Sequence, residues 1–302
     1  MIVSYMILSA KHMKKESFEA AKDQILNYLL DNPIGAFTSA DLISIFHRNR
    51  DDWKIANYRT PKHFIDFLEK SKILELIKLK HLTKGSIKQI FITPGANKSQ
   101  IAQTIKKDGY LSFYSAAQIH QLTLQNPKSV YISYDKSGWQ ENDNELLQED
   151  VDSAFSKPQR QSSEIYKSEI DDTRYYLIQK KTGSLHVGII NKNGVRYSDL
   201  ERTLIDITIR PAYSGGVFEV LEAFINSKNK VNLEIVLQYL DHLDYVYPYH
   251  QLIGFYLDRA GYSIEDTNLF LERKTDIKFY LTYNISNKKF DEKWNLYYPN
   301  GF

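Results

Sequence analysis

The stretch SDLERTLIDITIRPAYSGG, residues 198–216, decides how the second half of the chain is organised. Ser198 and Glu201 have the spacing of a capping box, which predicts the start of a helix. Pro211 forbids its continuation, and Gly215-Gly216 allows a tight turn before a second helix from Val217. The first helix is apolar at too many positions for one narrow face, which predicts that it is largely buried: Leu200, Leu204, Ile205, Ile207 and Ile209.

The same stretch carries polar residues at helical spacing. Arg202 and Asp206 stand at i and i+4, where opposite charges pair. Arg210 falls in the last turn, where a cation suits the helix dipole. The order of charged, apolar and glycine positions in ERTLID (201–206), RPAYSGG (210–216) and VFEVLEAF (217–224) resembles the central signature of the AbiEi family. Members of that family are antitoxin-regulators of type IV toxin–antitoxin systems, which act in abortive infection and phage defence.

Bulk composition is that of an ordinary globular protein. The chain has 302 residues, enough for two domains, with 42% hydrophobic and 25% charged residues. It contains no cysteine, which excludes disulfides, cysteine zinc sites and a cysteine nucleophile. The start, MIVSYMIL, is too short for a signal peptide core with flanks or a membrane span. We therefore expect a soluble, cytoplasmic protein with no membrane partner.

Charge is distributed unevenly along the chain. Residues 1–100 hold 16 Lys/Arg against 10 Asp/Glu, whereas the remainder holds 23 against 27. A basic segment at residues 1–100 and a mildly acidic remainder indicate that residues 1–100 bind a polyanion.

The front also has the pattern of a DNA-binding fold. Thr38 and Thr60 are predicted helix caps, and Pro61 suits a first helical position. Lys84-Gly85-Ser86 is a predicted turn between two strands. The pattern predicts three helices and a basic hairpin, a winged helix-turn-helix in a domain of residues 1–98: helices 17–30, 39–47 and 60–72, then strands 73–80 and 88–93.

Basic side chains of this layout are the candidate DNA ligands. Lysine and arginine neutralise phosphates, and side chains near the start of the third helix face base edges in the major groove. The candidates are Arg48, Arg50, Lys54, Arg59, Lys62, His63, Lys84 and Lys88. The alternative is a winged helix that contacts protein and has a solvated basic face.

Residues 99–302 are predicted to form a mixed α/β domain, so that the whole chain is of the α+β class. His120 precedes a turn at which AbiEi proteins carry glycine and this chain carries Gln121; we interpret His120 as a capping or core-edge residue. The predicted elements are helices at 112–121, 150–155, 198–210, 217–226, 233–243 and 249–260, and strands at 130–134, 175–180, 185–190, 278–285 and 294–299.

The resemblance implies a function for each domain. An AbiEi-like protein is an antitoxin and an autorepressor that binds inverted repeats in double-stranded DNA at its own promoter. Its C-terminal domain opposes an AbiEii-like nucleotidyltransferase toxin, and the two proteins need not form a stable complex. We hypothesise that the antitoxic surface comprises Glu201, Arg202, Asp206, Arg210, Tyr213, Tyr247 and His250.

No catalytic motif stands out. The chain has no Walker phosphate loop, GxGxxG, GxSxG or HExxH, so we expect no enzyme activity, cofactor or metal. The main alternative is a metal-dependent DNA nuclease with a winged-helix targeting domain, using Asp135 and the Glu-x-Lys pattern at Glu272–Lys274. A third alternative is a protein-interaction adaptor.

Overall fold

The computed structural model describes residues 17–135, 145–180 and 186–302. The chain is a mixed α/β protein of the α+β class, and it divides into two compact units. The described residues of the first unit are 17–76 and 89–96, and those of the second are 77–88, 97–135, 145–180 and 186–302. No helix in the described ranges is long and apolar enough to cross a membrane.

The first unit contains helices α1 (Lys22–Leu30), α2 (Ser39–Asn49) and α3 (Pro61–Lys70) and strand β1 (Ala36–Thr38). Strands β2 (Glu75–His81) and β3 (Ile87–Ile92) run through both units. β1 pairs antiparallel with β3, with Phe37 opposite Phe91. The predicted caps are confirmed, because Thr38 and Thr60 each close a capping box.

The connection between α2 and α3 packs against the hydrophobic core of the first unit. It runs from residue 50 to residue 60, longer than the three or four residues usual in a helix-turn-helix. Trp53 and Ile55 in this connection are buried among the aromatic rings of the core, and Trp53 packs on Phe64 with 5.6 Å between ring centroids. Burial of these two side chains fixes an otherwise polar segment.

The second unit is built on a mixed sheet with helices of its own. From β2 onward the strand order is β2-β6-β7-β5-β4-β9-β8, with β5 parallel to β7. A separate three-stranded sheet has the order β10-β12-β11. The helices are α4 (Lys98–Ile105), α5 (Phe113–Ile119), α6 (Gln148–Phe155), α7 (Leu200–Ile209), α8 (Val217–Ser227), α9 (Leu233–Leu243), α10 (Tyr249–Arg259) and α11 (Ile264–Leu271). The strands are β4 (Tyr110–Leu111), β5 (Ser129–Asp135), β6 (Ile165–Ser168), β7 (Arg174–Lys180), β8 (Ile189–Lys192), β9 (Val195–Ser198), β10 (Phe279–Tyr280), β11 (Lys288–Asp291) and β12 (Leu296–Pro299).

The signature helix α7 is buried as predicted, but its cap is different. Asp199, not Ser198, is the N-cap, and its side chain accepts the amide of Arg202 at 2.8 Å. Ser198 belongs to β9, and its hydroxyl lies 2.9 Å from that of Thr203. Glu201 accepts the Asn232 amide at the start of α9 instead of closing a capping box. The predicted cap was wrong by one residue, because Asp199 caps the helix through the Arg202 amide while the Ser198 hydroxyl contacts Thr203.

Several other predicted elements differ from those in the structure. The strand predicted at 185–190 is observed only as β8, and the turn predicted at 182–183 lies outside the described residues, as does most of the loop predicted at 140–148. Helix α11 and strand β6 had not been predicted. The tail forms β10, β11 and β12, not two strands. Gln121 has a φ of +57°, the left-handed conformation that glycine adopts most easily.

Candidate functional site

Three of the candidate DNA ligands are exposed in the first unit. Arg48 lies in the last turn of α2, Lys54 lies in the α2–α3 connection, and Lys62 lies in the first turn of α3. None of them forms an ion pair within the described residues. These charges are therefore available to a polyanion.

The other candidates of the first unit are engaged locally. An Arg50 Nη atom donates to the Ala56 carbonyl at 3.4 Å, and its guanidinium lies 5.4 Å from the centroid of the Phe46 ring. The Arg59 guanidinium lies over the Phe18 and Tyr58 rings, at 5.5 and 5.2 Å. The Nδ1 atom of His63 accepts the Thr60 amide as part of the α3 cap. Arg50 and Arg59 thus shape the unit besides carrying charge.

Lys84 and Lys88, in the second unit, are held by neighbours. Lys84 pairs with Glu164, whose other carboxylate oxygen lies 3.1 Å from His81 Nε2. Lys88 is half-buried and donates to the Ile105 carbonyl at 3.1 Å. Burial lowers the pKa of Lys88. These contacts weaken the interpretation of both lysines as free phosphate ligands.

The positive charge is concentrated in the hairpin. Residues 17–76 and 89–96 hold eight Lys/Arg against nine Asp/Glu, whereas residues 77–88 hold four lysines and no acidic residue. The basic character expected of the whole front therefore does not extend over the described part of the first unit.

A row of cations that no sequence pattern predicts crosses three strands of the second unit. Lys80 on β2 stands opposite Lys167 on β6, and Lys167 stands opposite Arg174 on β7. Residues in register lie on the same sheet face, where like charges repel. An ion pair of 2.7 Å between Lys167 and Asp172 offsets part of this repulsion. Lys80 and Arg174 are exposed and form no ion pair within the described ranges. Only strand register, which sequence periodicity does not give, brings these residues together.

The residues proposed as an antitoxic surface do not form one exposed surface, which corrects that expectation. Arg202 and Asp206 are each 1% exposed, and Tyr213 is 3% exposed. The Tyr213 hydroxyl accepts the Ser162 amide, and its ring packs on Phe113. Apolar positions dominate α7, so its few polar side chains are buried with it.

Arg202, Asp206 and Lys180 form a buried ion cluster. The predicted i,i+4 pair is confirmed, with 3.0 Å between Arg202 Nε and Asp206, and Lys180 Nζ lies 2.7 Å from the other oxygen of Asp206. Arg202 also donates to the Val187 carbonyl at 2.8 Å and to the Tyr110 hydroxyl at 3.4 Å. Burial lowers the pKa of Lys180 to about 8. Burial alone would raise the pKa of Asp206, but Lys180 and Arg202 outweigh it and lower that pKa.

The remaining residues of that set occupy different surroundings. Glu201 is half-buried against the start of α9, and Tyr247 stacks on Phe279 with 5.7 Å between centroids. His250 on α10 is half-buried, and burial lowers its pKa. Arg210 follows α7, with its guanidinium 5.9 Å from the Tyr213 ring centroid. Asp206, Arg210 and Tyr247 line one cavity.

The nuclease alternative lacks the required local structure. Glu272 is the C-terminal cap of α11 and Lys274 lies in the following turn, whereas the Glu-x-Lys pattern needs a strand. Within residues 17–135, 145–180 and 186–302, no group of three or more His, Asp or Glu side chains could hold a metal ion.

Comparison with known proteins bears on the fold alone. No model of a known protein family matches the chain, and no curated protein matches it. The crystal structure of the RV2827C protein from Mycobacterium tuberculosis is similar, with a TM-score of 0.56 and 13% sequence identity, over 92% of this chain and 91% of that one. The chain therefore shares its fold with a mycobacterial protein of similar length.

Proposed function

We propose that this protein binds double-stranded DNA and acts as an autorepressor and antitoxin of a type IV toxin–antitoxin system. The observation that carries DNA binding is a set of exposed cations that form no ion pair among the described residues. They are Arg48, Lys54 and Lys62 in the first unit and Lys80 and Arg174 in the second. The order α1-β1-α2-α3-β2-β3 supports the proposal of a winged helix-turn-helix, in which α3 would be the recognition helix. Lys62 in its first turn is then the side chain best placed for DNA.

The antitoxic role rests on the likeness of residues 201–224 to the AbiEi signature. Because much of α7 is buried, we propose that this stretch stabilises the second unit and that exposed residues around it bind the toxin or its target. The proposed partner is a nucleotidyltransferase toxin encoded beside this gene. The cytoplasm is the expected location.

DNA binding is tested with the full chain and a duplex of its own promoter, by fluorescence anisotropy at several salt concentrations. We expect specific binding, with at least tenfold weaker binding to a scrambled duplex of equal length. Lys62→Gln should weaken binding and reduce the steepness of its salt dependence by about 1. Lys230→Gln, which removes an exposed lysine of α8–α9, is the matched control. Equal affinity of both variants and the wild type would contradict this role of α3.

The antitoxic role is tested by a growth assay in which the neighbouring toxin gene is expressed. The variant Lys62→Gln/Lys80→Gln/Arg174→Gln should lose repression of a promoter reporter yet still rescue growth, because the two activities use different residues. Loss of rescue by this variant, with normal protein levels and circular dichroism, would show that antitoxicity depends on DNA binding. Point variants are preferable to a fragment ending near residue 98, because such a fragment separates β2 from its partner β6.

A further inference from the structure

A cavity of 360 Å³ opens in the second unit beside the buried ion cluster. This volume is within the range of small-molecule sites. Five aromatic side chains line it, and they come from α5, from the segment 245–249 and from the segment before β11: Phe113, Tyr245, Tyr247, Tyr249 and Tyr283. Walls of this kind favour a flat apolar ring.

Some of the polar groups that line the cavity are hydrogen-bond donors with no side-chain hydrogen bond among the described residues. Tyr245 and Tyr249 form no side-chain hydrogen bond within the part of the chain that the structure describes. Burial raises the pKa of both phenols, and the cations that oppose the rise, Arg202 and Arg210 for Tyr245 and Arg210 for Tyr249, offset it only in part. Both hydroxyls therefore stay protonated, and each can donate to a ligand.

Positive charge adds to this set of donors. Arg210 lines the cavity and forms no ion pair with any described residue. In the buried cluster the cations Lys180 and Arg202 share the single carboxylate of Asp206, which leaves one positive charge in excess. The opposing charges are Asp244, which is exposed at the cavity mouth, and Asp135 at the end of β5. Asp244 is exposed, so water screens its charge, whereas half-buried Asp135 offsets part of the excess charge at Lys180. Arg210, which forms no ion pair among the described residues, is therefore the cation of the cavity that favours an anion.

We propose that this cavity binds a small molecule that combines a planar aromatic ring with one anionic group, such as a phosphate. The ring packs among the tyrosines, and the anion accepts hydrogen bonds from Arg210 and from the hydroxyls of Tyr245 and Tyr249. Asp206 holds Lys180 and Arg202 in place and does not contact the ligand. This inference does not depend on the proposed DNA-binding or antitoxic function.

The test is isothermal titration calorimetry of the full chain with 1-naphthyl phosphate. Two matched probes separate the contributions: 1-naphthol has the ring without the anion, and inorganic phosphate has the anion without the ring. We expect one naphthyl phosphate per chain, with each partial probe bound at least tenfold more weakly. No saturable binding at millimolar concentration, or equal binding of either partial probe, would overturn the proposal.

Variants locate the site. Arg210→Gln should weaken binding about tenfold, because it removes a charge-assisted hydrogen bond. Tyr245→Phe removes one hydroxyl without changing the ring and should weaken binding severalfold, which gives a second test if the arginine variant folds poorly. Arg160→Gln, at an exposed position of the same unit, should bind like the wild type. Unchanged binding by folded Arg210→Gln and Tyr245→Phe would overturn the assignment.

Discussion

Two groups of cations in this chain differ in their surroundings. Lys54 and Lys62 project from the first unit into solvent and form no ion pair among the described residues, whereas Lys180 and Arg202 of the second unit are buried around one carboxylate. An exposed lysine keeps its charge available for an external phosphate. A buried cation needs its partner, because an uncompensated charge in the interior is strongly unfavourable. The same residue types are therefore exposed and available to an external anion in one unit and part of a buried ion cluster in the other.

Removing the shared carboxylate should give the largest effect. Asp206→Asn leaves Lys180 and Arg202 buried without a counter-charge, so we expect a loss of about 3–5 kcal/mol in the free energy of unfolding. Urea denaturation followed by circular dichroism measures this loss. Lys62→Gln is the control and should change stability by less than about 0.5 kcal/mol. A similar small change in both variants would remove the distinction between the two groups of cations.

The buried lysine should also show in the pH dependence of stability. Its pKa is about 8 in the folded chain and about 10.4 when unfolded. Between these values the unfolded state binds more protons, so this lysine makes the free energy of unfolding rise with pH. Asp206, Arg202 and Asp135 are the charged groups that act on Lys180.

The variant Lys180→Met isolates that contribution. From pH 7.5 to 9.5 the wild type should gain about 2 kcal/mol of stability relative to the variant. Guanidinium denaturation at both pH values gives the difference, and the titrating tyrosines cancel because both proteins contain them. If the two proteins show parallel pH profiles, Lys180 is not held at a lowered pKa.

Variants of the cation row, Lys80, Lys167 and Arg174, test whether exposed charge in the second unit also binds DNA. Lys80→Gln/Arg174→Gln should weaken promoter binding by about tenfold and reduce the salt slope by about 2. The double variant Lys192→Gln/Lys230→Gln removes two exposed lysines outside this row and serves as the control. Equal effects of the two double variants would mean that total charge, not position, determines affinity.

Lys88 should give the smallest effect. Its amine already donates to the Ile105 carbonyl and lies 5.2 Å from the Tyr166 ring centroid. We expect Lys88→Gln to change promoter affinity by less than twofold in the same anisotropy assay. A loss as large as that of Lys62→Gln would mean that Lys88 leaves these contacts to bind a phosphate.

Local signals were enough to predict many elements but not the sites. Thr38, Thr60 and Pro61 predicted α2 and α3 because capping depends on neighbours in sequence. The Ser198 cap was wrong because Asp199 offers an equivalent oxygen one residue later. The cation row and the partnership of Lys180 with Asp206 depend on strand register and on packing between distant elements, which no local pattern encodes.

The most direct test of the central claim is the salt dependence of promoter binding by the full chain. If Arg48, Lys54, Lys62, Lys80 and Arg174 each neutralise one phosphate, the logarithm of the affinity should fall against the logarithm of salt concentration with a slope of about −4.5. A slope near zero, or a steep slope that persists when all five residues are replaced by glutamine in a folded protein, would contradict the account.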